Sequence, residues 1–155
     1  MTRHAILVDT AVVAYAVGGK HSLREPCQRW LLAAGRGEVE LHASVEMIQE
    51  LLFHRMMRTD RQTASHRARD ASQLCVLHPF DVHVLSRSME LIAASESLDG
   101  RDAAHAATAL VHGLQVIVSP DRAFDGIDGL HRVDPMDDIP ELSASAEHRP
   151  VLPRP

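Results

Sequence analysis

Short apolar runs alternate with amphipathic segments along most of this chain of 155 residues, and this alternation limits the possible folds more than any other feature. The apolar or extended runs predict strands at 5–8, 39–44, 76–80, 114–118 and 131–133. Helical spacing separates these runs at 24–34, 45–57, 60–74, 100–112 and in a segment that begins after Asp81. Strands that alternate with helices predict a central parallel sheet covered on both faces, which is a three-layer α/β/α sandwich.

Residues that favour helix ends support this segmentation. Side chains that commonly form N-caps precede four of the predicted helices: Ser44, Thr59 or Asp60, Asp81 and Asp99. Gly35 and Gly113 stand where two helices should end. The helix after Asp81 carries Leu85, Met89 and Ile92 at helical spacing.

Composition predicts one globular domain followed by a tail. Apolar residues make up 45% of the chain and charged residues 24%, as is ordinary for a globular domain. We expect the domain to cover residues 1–136, and the segment 137–155, rich in Pro, Ser and acid, to be disordered. Two cysteines form no disulfide framework, and no apolar segment reaches membrane-spanning length. We therefore expect a cytoplasmic protein that does not contact a membrane.

Three aspartates are expected to meet at one edge of the sheet. Asp9 directly follows the first strand, and Asp121 lies just beyond the strand 114–118. Asp102 is near the start of the helix that leads into that strand, so it belongs to the same edge. Ligands of open parallel sheets bind at this carboxyl edge.

Carboxylates that converge need compensation. Two of them about 4 Å apart repel by roughly 4 kcal/mol at an effective dielectric constant of 20. Either some of them take up protons or a cation lies among them. Sites made only of oxygen ligands suit Mg²⁺ or Mn²⁺, which bind phosphates and activate water. The implied chemistry is metal-assisted hydrolysis of a phosphodiester.

Each aspartate also has a purely structural interpretation. Asp9 can end a strand or cap the next helix, and Asp121 can begin a turn after Pro120. Asp102 can be a first-turn acid favoured by the helix dipole. The joint prediction of a shared sheet edge favours a site over these separate interpretations.

Further polar residues leave alternatives open. Glu46 and Glu50 lie one turn apart on the same helix face, so either can point towards the sheet edge. His105 follows Asp102 by one turn, and it either supports the site or packs between helices.

A basic stretch interrupts a chain whose net charge is −5. Residues 54–69 contain five arginines and one acid, which indicates either a solvated helix face or a surface for RNA phosphates. The candidate RNA-contacting residues are Arg55, Arg58, Arg61, Arg67 and Arg69. Aromatic residues are only 3% of the chain, so rows of stacked aromatics for single-stranded nucleic acid are not expected.

Four segments in order resemble the PIN-domain ribonucleases of the VapC toxin type. They are LVDT at 7–10, SVEMIQELL at 44–52, RDAAHAATAL at 101–110 and GLQVIVSPDRAFDGIDGL at 113–130. The register of this resemblance selects Glu50 over Glu46. It implies the catalytic set Asp9, Glu50, Asp102 and Asp121, in which Asp9, Asp102 and Asp121 hold the metal.

The resemblance also implies supporting residues and partners. Thr10 and Ser119 would orient carboxylates by hydrogen bonds. Because Pro120 departs from the pattern before Asp121, Asp125 is the nearest substitute for that ligand.

The implied protein is an endoribonuclease toxin dependent on Mg²⁺ or Mn²⁺ that acts on structured RNA such as tRNA or rRNA. It would form a homodimer and bind a VapB-like antitoxin, also in a higher-order complex. The alternative is an inert PIN-fold module that binds RNA or protein.

Overall fold

A computed structural model describes residues 4–139, and its centre is a parallel sheet. The strands are β1 Ala5–Val8, β2 Glu40–Ser44, β3 Val76–His78, β4 Val116–Val118 and β5 His131–Val133. They run in the order β3-β2-β1-β4-β5, and every neighbouring pair is parallel. The predicted sheet is confirmed, and β1 occupies its middle position.

Helices cover both faces of this sheet. They are α1 Thr10–Val17, α2 Arg24–Gly35, α3 Val45–Met56, α4 Arg61–Leu74, α5 Val82–Ala94 and α6 Gly100–Val111. One core cluster packs the four helices α1, α2, α3 and α4 against one face of the sheet. Trp30, Met47 and Leu51 are fully buried in this cluster. A second cluster joins α5 and α6 to the other face around Leu7 and Ile117. The three-layer α/β/α sandwich is therefore confirmed.

The predicted helix ends are formed by local hydrogen bonds. The Ser44 hydroxyl accepts from the amide of Met47, and Asp60, rather than Thr59, caps α4. Asp81 and Asp99 each accept two amide hydrogen bonds at the starts of α5 and α6. Gly113 follows α6 with a φ of 71°, a left-handed conformation that favours glycine.

Two features of the helices are not indicated by the sequence patterns. These patterns predict no helix between Asp9 and residue 24, but α1 forms there. The helix is apolar over most of its circumference, so its sequence lacks the periodicity that reveals an amphipathic helix. On α5 the residues Leu85, Met89 and Ile92 are exposed by 45%, 59% and 41%. The side chains that α5 buries are instead Val84, Ser88 and Leu91.

The chain beyond β5 passes over α2. The indole nitrogen of Trp30 donates to the carbonyl of Pro135 at 3.4 Å, and Ile139 packs partly against the core. The tail expected at 137–155 lies outside the described residues from position 140 onward. None of the described helices is long and apolar enough to cross a bilayer.

Candidate active site

Four acidic residues line one cavity at the carboxyl edge of the sheet. Asp9 follows β1, Asp121 follows β4, Asp102 lies in the first turn of α6, and Glu50 projects from α3. The cavity has a volume of about 460 Å³. The fold thus brings together the four acids of the candidate catalytic set, which we call the acidic cluster. Glu46 is not among the residues that line this cavity.

Asp9 is the most deeply buried acid of the cluster, with an exposed fraction of 6%. The Ser119 hydroxyl donates to its Oδ2 at 2.7 Å, and the same hydroxyl oxygen accepts from the Asp121 amide at 3.0 Å. Burial raises the pKa of Asp9, and the nearby His105 opposes this rise. Ser119 therefore fixes both the Asp9 carboxylate and the backbone that carries Asp121.

Glu50 is held by three donors from two other helices, α1 and α6. Its Oε2 accepts from the Thr10 hydroxyl at 2.8 Å and lies 3.3 Å from His105 Nε2. Its Oε1 accepts from Arg101 Nη1 at 3.0 Å. Hydrogen bonds, first from His105 and then from Thr10 and Arg101, outweigh partial burial and lower the pKa of Glu50 to about 2. Glu50 is consequently a carboxylate at any physiological pH.

Asp102 has the opposite electrostatic environment. Burial is the main cause that raises its pKa to about 6, and the negative charges of Asp99, Asp121 and Asp9 add to the rise. Among residues 4–139, no group donates a hydrogen bond to the side-chain oxygens of Asp102. Its backbone amide donates to the side chain of Asp99. Asp102 is therefore a carboxyl group whose charge the surrounding protein disfavours.

His105 connects the acidic cluster to Ser44, at the start of α3. Its ring is 2% exposed, with Nε2 at 3.2 Å from Thr10 Oγ1 and 4.0 Å from Asp9 Oδ1. Its Nδ1 lies 3.1 Å from the Ser44 hydroxyl, the residue that also caps α3. Of the two roles left open for His105, the structure combines both, because the ring packs between elements and hydrogen-bonds to the site.

Comparison with known proteins gives this arrangement a family. The family model of the PIN domain matches residues 6–130. Ribonuclease VapC7 of Mycobacterium tuberculosis is 31% identical over 132 residues, which cover 84% of this chain and 91% of the relative. The chain belongs to the PIN-domain family, among proteins of the VapC type.

Solved structures share the fold of this PIN domain at lower identity. A toxin–antitoxin complex from Klebsiella pneumoniae matches with a TM-score of 0.66 and 21% identity, covering 86% of this chain and 99% of that one. VapC20 of Mycobacterium tuberculosis, a sarcin–ricin loop cleaving toxin, matches with a TM-score of 0.62 and 17% identity, covering 79% and 91%. At these identities the likeness demonstrates the fold alone.

Asp125, the substitute considered for Asp121, faces elsewhere in this PIN domain. Its Oδ1 accepts from Arg132 Nε at 2.6 Å, and this hydrogen bond is the main cause that lowers the pKa of Asp125. Asp121 lines the cavity, whereas Asp125 is not among the lining residues. The geometry thus favours Asp121 as the fourth acid despite the preceding Pro120.

The basic stretch 54–69 divides between several surfaces of the PIN domain. Arg55 and Arg58 line the same cavity as the acidic cluster. Arg67 lines a smaller groove beside α1 and α2. Arg61 and Arg69 are exposed on α4. The stretch is therefore not a single RNA-facing surface, and only its beginning reaches the acids.

The acidic cluster suits a hard cation by the chemistry of its donors. Among residues 4–139, no three acidic, imidazole or thiol side chains are placed as a ready-made metal site. Mg²⁺ often binds through one or two carboxylates and keeps several waters, so a complete protein cage is not required. The carboxyl of Asp102, with its raised pKa and with no donor to its side chain among residues 4–139, is a group that a cation would stabilise.

Proposed function

We propose that this PIN domain is a cytoplasmic endoribonuclease toxin that hydrolyses phosphodiester bonds in structured RNA such as tRNA or rRNA, with Mg²⁺ or Mn²⁺. The observation that carries this proposal is the acidic cluster, in which Asp121 and Asp9 add to the rise in the pKa of Asp102 and no residue of 4–139 donates to its side chain. The relative VapC7 is a ribonuclease, and VapC20 cleaves the sarcin–ricin loop, which supports RNA as the substrate.

In the proposed mechanism, Asp9, Asp102 and Asp121 would hold the divalent ion. Such an ion lowers the pKa of a water molecule and polarises a phosphoryl oxygen. Ser119 keeps the Asp9 carboxylate and the Asp121 backbone in fixed positions through its two hydrogen bonds. Because carboxylate oxygens are the ligands, metal binding competes with protonation of Asp102 and improves above its pKa of about 6.

Glu50 has a different part in the proposed mechanism. Its pKa of about 2 makes it a poor proton acceptor at neutral pH but a permanent negative charge beside the reacting groups. Thr10 and His105 fix the direction of this charge by their hydrogen bonds to Oε2. They act as positioning residues, because they contact Glu50 rather than the reacting phosphate.

Calorimetric titration with Mn²⁺ at pH 8 tests the metal part of the proposal. Wild-type protein should bind Mn²⁺, and Asp102→Asn should weaken binding by about tenfold or more, because it removes a charged ligand. Asp128→Asn removes an exposed acid outside the cavity and should bind like wild type. Absence of Mn²⁺ binding by the wild type would favour the inert binding module, the alternative supported by the lack of a ready-made metal triad in residues 4–139.

We further propose a VapB-like antitoxin as the protein partner that blocks the cavity. The chain shares its fold, over most of its length, with one chain of the toxin–antitoxin complex from Klebsiella pneumoniae, which supports this assignment. An arginine from the antitoxin would suit the acidic cluster, since guanidinium groups pair with carboxylates. Expression of the chain alone should arrest growth, and Asp102→Ala should remove this effect while leaving antitoxin binding largely intact.

A homodimer is the proposed state of the toxin, and α5 offers a surface for it. Val82, Leu85, Met89 and Ile92 are exposed by 41% to 74%. Their spacing of three, four and three residues is that of a seam between paired helices. We call these four residues the α5 stripe. A second copy of the chain that pairs along it would remove this apolar surface from water.

A further inference from the structure

Arg55 is a buried cation that has no acidic partner among residues 4–139. Its exposed fraction is 6%, although it stands on a helix face with Met47 and Leu51. Its Nε is buried and has no hydrogen-bond acceptor, and none of the ion pairs among residues 4–139 includes Arg55. A buried guanidinium normally pairs with a carboxylate, because an unpaired charge in the interior is costly.

The positive charges around Arg55 increase the cost of keeping its unpaired charge in the interior. Burial lowers the pKa of Arg55, and the like charges of Arg58 and Arg67 lower it further. An anion beside Arg55 would therefore relieve both the desolvation and the repulsion. No such anion comes from residues 4–139, and a ligand that enters the cavity can supply it.

Arg55 lies at the cavity that holds the acidic cluster. Lys20, His21, Arg55 and Arg58 line this cavity together with the four acids, and we call them the basic cluster. Lys20 is the only lysine of the chain. One cavity thus carries four carboxylates together with Lys20, Arg55 and Arg58, which form no ion pair among residues 4–139. A strand of RNA needs such cations, because acids alone would repel its phosphates.

An aromatic pair accompanies the basic cluster. The rings of Tyr15 and His21 stack with centroids 4.3 Å apart, and both residues line the same cavity. Flat rings of this kind stack on nucleobases without regard to sequence. The combination of cations and rings fits a nucleotide unit better than a free inorganic anion.

We infer that the basic cluster, centred on Arg55, binds a backbone phosphate of the RNA strand next to the one that is cleaved. This inference rests on the proposed function, because it assigns the strand that the acidic cluster would cut. Arg55 pairs with the phosphate through its planar guanidinium, and Arg58 and Lys20 neutralise the remaining charge. The neighbouring phosphate is thereby held while the scissile one lies among the acids.

Binding without metal separates this inference from catalysis. A short fluorescein-labelled single-stranded RNA is titrated with the protein in EDTA at a series of salt concentrations, and anisotropy reports binding. Arg55→Met, which keeps most of the side-chain volume, should weaken binding by about tenfold or more. It should also reduce the slope of log K against log salt by about 0.7, the value for one phosphate contact on a single strand.

Two variants make the comparison specific. Arg55→Lys keeps the charge but loses the planar fork, so we expect weaker binding with an unchanged salt slope. Arg36→Gln removes an exposed arginine at the end of α2, outside the cavity, and should leave affinity and slope unchanged. If folded Arg55→Met binds RNA with the affinity and salt slope of the wild type, the inference is wrong.

A second measurement covers the case in which Arg55→Met does not fold. The Nε–Hε resonance of Arg55 in the wild type is followed by NMR in EDTA during addition of the RNA or of inorganic phosphate. We expect a shift with RNA at lower concentration than with phosphate. A shift with phosphate alone, or with neither, overturns the inference. A shift with RNA in a protein that never cleaves RNA would retain this subsite and reject the proposed enzymatic function.

Discussion

Two carboxyl groups of one cavity have opposite relations to the stability of the fold. The pKa of Asp102 is raised to about 6, whereas the pKa of Glu50 is lowered to about 2. The same chemical change, from acid to amide, should therefore stabilise the protein at one position and destabilise it at the other. This contrast tests the electrostatics of the site without any assay of activity.

For Asp102, the pH dependence of the free energy of unfolding follows from a pKa that is higher in the folded state than in the unfolded chain. Its contribution to stability is complete below pH 3.8 and is lost as pH rises through about 6. In metal-free protein at pH 8, Asp102→Asn should raise the free energy of unfolding by about 1 kcal/mol, after allowance for solvent screening. Urea unfolding at pH 5 and pH 8 checks this, and an equal effect at both values would contradict it.

For Glu50 the effect of the acid-to-amide change on the free energy of unfolding has the opposite sign. Its contribution is present above the unfolded pKa of 4.5 and is lost only as pH falls towards 2. Glu50→Gln at pH 8 should lower the free energy of unfolding by about 1–2 kcal/mol, because charged hydrogen bonds are lost. Asp128→Asn serves both experiments as the exposed control. A Glu50→Gln protein as stable as wild type would show that these hydrogen bonds contribute nothing net.

At the scale of secondary-structure elements, the start of α3 connects folding to the site. Ser44 ends β2, caps α3 through the Met47 amide, and hydrogen-bonds to His105. One hydroxyl thus joins the sheet edge, the helix that carries Glu50 and the buried imidazole. Loss of this hydroxyl should therefore affect both stability and catalysis.

Ser44→Ala should lower the free energy of unfolding by about 1–2 kcal/mol and also reduce RNA cleavage, because His105 loses a hydrogen-bond partner. Asp60→Ala removes the side chain that caps α4 by accepting from the amide and hydroxyl of Thr63, away from the cavity, and should lower stability without reducing cleavage per folded molecule. Thermal melts and initial rates, measured on both variants, give the comparison. Equal losses of cleavage in the two would show that Ser44 acts only through stability.

Sequence patterns predicted these elements well where the determinant is local. The caps at Ser44, Asp81 and Asp99 depend on residues within three positions, so they could be recognised directly. The helix α1 could not, because TAVVAYAV is apolar on nearly every side. Periodicity on α5 indicated an apolar face but not its partner, and that face turned out to be exposed.

The site was predictable to the extent that topology determines it. Parallel strands bring Asp9 and Asp121 to one edge whatever the details of packing. The contact between Glu50 and Arg101 joins residues 51 positions apart, and no sequence spacing indicates it. The burial of Arg55 could not be predicted from the sequence either, because arginines are rarely buried and the residue belongs to a basic stretch.

At the scale of the whole molecule, the exposed α5 stripe predicts the oligomeric state. Met89→Glu places a charge in the middle of the stripe and should convert a dimer into a monomer, as measured by light scattering after size exclusion. His83→Glu introduces a glutamate elsewhere on the exposed surface of α5 and should leave the dimer intact. A wild type that is monomeric at all accessible concentrations would contradict this assignment of the surface.

The acidic cluster is proposed to cleave RNA with a divalent metal ion. The most direct test measures cleavage of total RNA, folded tRNA and ribosomes by antitoxin-free protein, with Mn²⁺ or EDTA, beside Asp102→Ala and Asp128→Ala. We predict cleavage that requires Mn²⁺, persists in Asp128→Ala and falls by about 10²-fold or more in Asp102→Ala. Cleavage that survives both EDTA and Asp102→Ala, or a wild type inactive on every RNA, would contradict the account.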